Sequence, residues 1–218
     1  MHAEVARFGC CALVVVLAAT PPSSSAGSDG QTMVTFDRAP GGNLPGTFQA
    51  ISSSDKEAGT WAVQRIDGRA VLSQTDLGRH GYRLAGLKDL RIEHLRAGVR
   101  LRVGEGDEAG GLAWRVQDAQ NYYAARLDIN DEELVVYKFV RGNRVRLSRL
   151  KELRLDRDQW HEIVVEHVGE RMRVWLNDIP VASERDDSLH RPGMLAFWLP
   201  GDSTAHFEHL WYEPVERD

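Results

Sequence analysis

The side chains with chemistry to offer are few and scattered. Of eight histidines, only His206 and His209 stand close enough to share a ligand. A spacing of three converges on a helix, whereas on the strand expected there it does not. No Gly-x-Ser-x-Gly elbow is present, and Ser, His and Asp follow no nucleophile motif. The oxygen-rich group Asp128, Asn130, Asp131, Glu132 and Glu133 holds the right atoms for calcium, but it lacks the glycine and spacing of a helix-loop-helix calcium loop. A hairpin turn between Leu127 and Leu134 would use the same residue types. Calcium is thus the one cofactor the sequence admits, and no catalytic or metal-ligating residue is assigned. The six tryptophans offer a different chemistry, because a flat π face stacks on the C–H face of a sugar ring. Trp114 alternates in step with Leu112 and Val116 and belongs to the core, and Trp160 opens a strand at the sandwich end. Trp198 falls on the parity opposite Leu195, Phe197 and Leu199, which frees it for a surface.

The elements that must position these residues are short strands. From Thr60 onward, runs rich in Val, Ile, Leu, Trp and Tyr are closed by Gly, Asn or Asp turns. Trp61 to Ile66 turns at Asp67-Gly68 into Ala70 to Thr75, and Gly111 to Gln117 turns into Tyr122 to Asp128. Leu134 to Val140 turns at Gly142-Asn143 into Arg144 to Leu150. Trp160 to His167, Met172 to Leu176 and Pro180 to Glu184 continue the series. This spacing predicts an antiparallel sandwich or barrel. Ile163 and Val165 oppose Glu162 and Glu166, and Met172, Val174 and Leu176 oppose Arg171 and Arg173, so one face is buried and the other wet. Leu147 to Asp158 is ambiguous between a helix, a charged loop and a short edge strand.

The first residues read differently. Arg7 precedes the apolar run from Phe8 to Ala19, followed by Pro21, Pro22 and Ser24-Ser25-Ala26. That order is a cleavable signal peptide over residues 1–26. A dozen apolar residues span only ~18 Å as a helix, short of a ~30 Å bilayer core. No transmembrane segment is expected after cleavage. Cys10 and Cys11 lie in this leader, so the exported chain carries no disulfide and relies on buried area, for which roughly 190 residues suffice. The predicted organisation is a flexible entry at 27–32, one domain at 33–214 and a tail at 215–218. A net charge of -5 without a basic block excludes a nucleic-acid partner.

Phe36-Asp37, Leu44-Pro45, Trp61-Ala62-Val63 and Gly111-Leu112-Ala113-Trp114-Arg115-Val116-Gln117-Asp118 begin an ordered series. It continues through Asn121-Tyr122-Tyr123, Trp160-His161-Glu162, Val174-Trp175-Leu176-Asn177-Asp178 and Gly193-Met194-Leu195-Ala196-Phe197-Trp198 to Phe207. In that order the chain resembles the concanavalin A-like lectin/glucanase superfamily, especially its laminin G-like and 3-keto-disaccharide hydrolase-like bacterial members. The resemblance implies an all-β fold, a two-sheet antiparallel jelly-roll sandwich with any ligand on its concave sheet or rim loops. Family-sixteen glycoside hydrolases of this fold place Glu-x-Asp-x-x-Glu on one strand, giving paired carboxylates about 5–5.5 Å apart. Glu105-Gly106-Asp107-Glu108-Ala109-Gly110 lacks the final glutamate and reads as a turn.

If the central strands are neighbours in the concave sheet, as the resemblance implies, the outward residues form one patch: Arg115, Gln117, Tyr122, Arg126, Lys138 and Trp198. The same parity places no pair of acids there. Forked arginine donors beside an aromatic platform suit a hydroxyl-rich or anionic sugar. The expected function is an exported, periplasmic or extracellular, non-catalytic module that binds a glycan or another cell-envelope ligand. The alternatives are a glycoside hydrolase of the 3-keto-disaccharide hydrolase-like type and a structural envelope protein.

Overall fold

The computed structural model describes residues 30–54, 58–78, 81–106 and 108–217. The expected leader and the start of the flexible entry lie outside the described residues. No helix among the described residues is long and apolar enough to cross a membrane.

Fifteen strands follow one another without a helix among the described residues. They are β1 (Thr32–Thr35), β2 (Phe48–Ser52), β3 (Trp61–Ile66), β4 (Arg69–Gln74), β5 (Tyr82–Leu87), β6 (Leu95–Gly106), β7 (Ala109–Asp118) and β8 (Asn121–Asp128). β9 (Glu133–Val140), β10 (Asn143–Leu150), β11 (His161–Val168), β12 (Arg171–Leu176), β13 (Ile179–Arg185), β14 (Met194–Pro200) and β15 (Ser203–Pro214) complete the chain. The hairpins read from the sequence are β3–β4, β7–β8, β9–β10 and β11–β12; Asp67-Gly68, Gly142 and Gly169 supply left-handed residues in three of them, and in β7–β8 the Asp118 carboxylate instead accepts from the Gln120 amide. The ambiguous segment from Leu147 onward is the end of edge strand β10 and then an irregular loop.

The strands form two antiparallel sheets. One orders β13, β12, β11, β6, β15, β4 and β3, with β1 alongside β15; the other orders β10, β9, β8, β7, β14, β5 and β2. Their inner faces close over one core. Leu95, Ala97, Val99, Leu101 and Val103 of β6 and Ile163 and Val165 of β11 meet Leu112, Trp114, Tyr123, Leu127, Leu195 and Phe197 from the other sheet. In β6 the alternate residues Arg96, Arg100 and Arg102 turn to water, which is the period-two pattern of a sheet with one wet face.

The seven-stranded sheet behaves differently, because a second apolar cluster covers its outer face as well. One irregularity redirects its central strand. β7 pairs Ala113 with Ala196 and then Val116 with Met194, so two residues of β7 oppose one of β14. The extra residue is Arg115, held at φ 47. A bulge of this kind reverses the side-chain parity beyond it, and Val116 joins the outer cluster instead of the core. Gly193 lies against the bulge, where a Cβ would come within 2.4 Å of the Arg115 carbonyl carbon.

Candidate functional site

The outer face of the seven-stranded sheet is built from registered rows that cross the strands. One row runs Arg149, Val135, Arg126, Gly111, Trp198, Leu84, Ile51 from β10 to β2. The next runs Arg146, Tyr137, Ala124, Ala113, Ala196, Gly86 and Gln49. A third begins Arg144, Phe139, Tyr122 and continues on the far side of the bulge with Val116 and Met194. Small residues thus fill the middle row, with large rings on either side. The indole of Trp198 donates to the hydroxyl of Tyr122 over 3.4 Å, so the two side chains reach across the alanines from opposite rows.

This face is concave. Tyr82 of β5 and Phe139 of β9 are four strand positions apart, which a flat sheet would hold about 19 Å from one another. Their ring centroids are 4.9 Å apart, so the sheet rolls toward its outer side. Tyr82 also stacks on Trp198 at 5.0 Å, and Tyr122 stacks on Phe139 at 4.4 Å. Arg144, at the rim, donates to the Tyr82 hydroxyl over 2.9 Å and sits 5.1 Å from the centre of the Tyr137 ring. Trp198 and Tyr122 are fully buried at the floor, Tyr137 is 8% exposed and Tyr82 half-buried, so the rings nearer solvent are the tyrosines beside Arg144. Burial pushes the Tyr122 hydroxyl well above the ordinary phenol range, which keeps it neutral.

Further along the same face lies a charged group. Asp128 and Glu133 are directly opposed across β8 and β9, and both are buried. Arg126 pairs with Asp128 and Arg149 with Glu133. The expectation that no two acids share this face is therefore corrected. The pair is committed to two guanidinium groups and ties β8, β9 and β10 together. Carboxylate oxygens of Asp128, Asp131 and Glu133 approach within 4.8 Å of one another. The two arginines offset charge that a calcium ion would draw on, and Asn130 accepts from Arg157 over 2.9 Å.

The six residues read from the sequence divide evenly. Tyr122, Arg126 and Trp198 lie on the concave face, but Tyr122 and Trp198 are fully buried there and not on the open surface expected of them; Arg115, Gln117 and Lys138 do not lie on it. The bulge turns Arg115 to the end of the sandwich, where it is fully buried and donates to the carbonyls of Glu93 (2.8 Å), Leu189 (3.2 Å) and Gly169 (3.1 Å). Burial lowers its pKa. Gln117, next after Val116, takes the parity opposite the concave set. Lys138 alternates with Tyr137 and Phe139 as expected, but those two own the concave face, and Lys138 points to Asp186 and to Ser188 at 2.8 Å. Sequence reasoning missed Tyr82, Tyr137, Phe139, Arg144, Arg146 and Arg149. The alternating basic residues of Asn143 to Leu150 were the available signal for the last three.

Lys138 and Arg115 belong to a buried polar network that fastens the β13–β14 connection to both sheets. Tyr123 donates to Asp186 over 2.7 Å and accepts from the Leu189 amide over 3.2 Å. Burial alone would raise the Asp186 carboxyl, but hydrogen bonds from Lys138, Tyr123 and Ser188 outweigh it and bring it down to about 2. An indole can only donate, so the 3.0 Å bond from Trp114 makes His167 Nδ1 the acceptor and puts the ring proton on Nε2, 3.3 Å from the Asp186 carbonyl. Burial, together with Arg115, lowers the His167 pKa to about 3. A groove of about 600 Å³ lies beside this end, lined by Glu93, Glu170, Arg171, His190 and Arg217 among others. It mixes both signs of charge and has no aromatic wall, whereas the concave face combines arginines with rings.

The chain has the concanavalin A-like jelly-roll fold. No protein-family model and no curated protein matches its sequence. Among solved structures, it is similar to the carbohydrate-binding module CBM66 from Bacillus subtilis, with a TM-score of 0.62 and 23% identity over 77% of this chain and 97% of that one. It is also similar to the Bacillus licheniformis β-glucanase, with a TM-score of 0.60 and 12% identity over 86% of this chain and all of that one. A prokaryotic β-1,3-1,4-glucanase derived from a mouse hindgut metagenome aligns with a TM-score of 0.59 and 12% identity, covering 85% and 100% of the two chains.

Proposed function

We propose that this protein is an exported, non-catalytic module that binds a glycan on the concave face of its seven-stranded sheet. The observation that carries the reading is the meeting of Arg144 with Tyr82 and Tyr137 over a floor of Trp198, Tyr122 and three alanines. Sugar recognition asks for such a concave surface: rings to cover C–H faces and a few fixed donors to take hydroxyls. Planar guanidinium groups supply those donors in a fixed fork. The named neighbours of this fold include a carbohydrate-binding module and two glucanases, which supports a glycan as the ligand class. Export rests on the leader read at residues 1–26.

A glycan array probed with the purified protein tests this. Binding to a defined sugar class is expected, weakened about tenfold or more in Tyr137→Ala and in Arg144→Ala, the size expected when a charged hydrogen bond is lost. Blank wells throughout would end the proposal. The hydrolase reading draws on the Asp128–Glu133 pair: release of free sugar from a bound glycan, abolished in Asp128→Asn, would put it in place of simple binding.

A further inference from the structure

Strand β10 and the loop after it carry a charge that the rest of the chain does not share. Residues 141–157 hold seven basic side chains against two acidic ones, a net of +5 within a chain of net -5, which corrects the expectation that the chain has no basic block. Three of the seven are engaged: Arg149 with Glu133, Arg157 with Glu108 at 2.8 Å, and Arg144 with Tyr82. Arg141, Arg146, Lys151 and Arg154 are exposed and make no salt bridge among the described residues.

β10 is the last strand of its sheet. Charges on an edge strand are a common guard against edge-to-edge pairing, but that purpose is served by charges on either face. Here all three arginines of the strand are on one side. Arg144 opposes Phe139 and Arg146 opposes Tyr137, both on the concave face. Simple alternation would then turn Ser148 to that face and Arg149 to the core side. A register shift between Arg146 and Ser148 instead sets Ser148 against Val136, a core residue, and Arg149 against Val135 of the concave cluster. The bulge thereby restores the third arginine to the side of the other two. Arg144, Arg146 and Arg149 face Phe139, Tyr137 and Val135 at every second position, so they form a rail about 14 Å long at the rim of the concave face.

We infer that the ligand of the concave face is an anionic glycan, a polysaccharide bearing carboxylate or sulfate groups whose charges pair with the rail while its rings lie against the half-buried Tyr82. This rests on the reading of that face as a glycan site. Arg149 is held by Glu133, so Arg144 and Arg146, about 7 Å apart along the strand, are the planar donors that meet acidic groups on neighbouring sugars, since guanidinium pairs with such groups bidentately.

Isothermal titration with polygalacturonate, with its fully methyl-esterified counterpart and with oligo-dT compares one sugar backbone with and without charge, and a polyanion that is not a sugar. Polygalacturonate should bind at least about tenfold more tightly than the ester, and its affinity should fall as salt is raised. Arg146→Glu should weaken polygalacturonate about tenfold or more and leave the unfolding midpoint unchanged, because Arg146 is exposed and unpaired. Equal affinity for acid and ester, or binding of neutral array glycans with no binding of polygalacturonate, would overturn the inference and leave glycan binding standing. Oligo-dT bound as tightly as polygalacturonate would also overturn it. Failure of every sugar would remove the glycan reading itself.

Discussion

The outer faces of the two sheets solve opposite problems. On the eight-stranded sheet, Arg173, Glu166, Arg96 and Glu213 form one cross-strand row of alternating charge, and Glu162, Arg100 and His209 form another. Between them Trp175 and Trp211 lie on either side of Val164 and Gly98, with Arg96 within 6.0 Å of both rings. Water completes that surface, and opposed charges in register account for it. On the seven-stranded sheet the corresponding rows are alanine, tyrosine, phenylalanine and tryptophan, buried by their own curvature. A sheet apolar on both faces has a reason to roll, and rolling packs Tyr82, Trp198, Tyr122 and Phe139 against one another. The difference locates the unusual chemistry of the molecule on one face.

That contrast can be broken most severely at the bulge. Arg115→Met should cost about 3–5 kcal/mol in urea unfolding, because three buried carbonyls lose their donor together. A loss under about 0.5 kcal/mol would mean that Arg115 stands on a wet surface, as parity alone would have it. Two tryptophans compare the faces directly. Trp198→Ala should cost about 3–5 kcal/mol, whereas Trp175→Ala, half-exposed on the other sheet, should cost about 1 kcal/mol. Equal losses would erase the distinction.

A smaller effect follows from His167, which joins the sheets from inside. Its folded pKa of about 3 lies below the ordinary 6.5, so its contribution is complete above pH 6.5. As the pH falls below that value, the unfolded chain takes up a proton that the folded one refuses, and stability is lost. The loss should be on the order of 2–3 kcal/mol by about pH 4, and should be largely absent in His167→Gln, measured by urea unfolding across that range. An unchanged slope in the variant would remove His167 from the network. Smallest of all, Glu166→Gln on the charged face should shift stability by less than about 0.5 kcal/mol, since exposed pairs contribute little; a loss above about 1.5 kcal/mol would contradict that face's solvated character.

The same contrast explains what could be read in advance. Where one face is wet, as in β11 and β12, alternation of Ile163, Val165, Met172 and Val174 with charged neighbours showed the core face directly. The hairpin turns were legible because each depends on a Gly, Asn or Asp. The sheet with two apolar faces gave no such guide: in β9, Leu134 and Val136 face the core while Val135, Tyr137 and Phe139 join the outer cluster. Lys138 looked like a surface residue because it is charged, yet its partner Asp186 lies 48 residues away on the other side of the strand. Arg115 was lost to a single added residue in β7, since a slip of one position exchanges the faces. The bulges of β7 and β10 leave no local mark, because Arg115 and Leu147 are not glycines. Tyr82 met Arg144 only through the curvature of the whole sheet, a property no short window contains.

The most direct measurement is amide chemical-shift mapping of the purified protein titrated with the tightest-binding sugar from the array. Shifts concentrated in β8, β9 and β10 and at Tyr82, centred on Tyr137, Arg144 and Arg146, are the expected result. Shifts confined to Arg96, Trp175 and Trp211 on the opposite sheet, or to the groove beside Arg171 and His190, would contradict it.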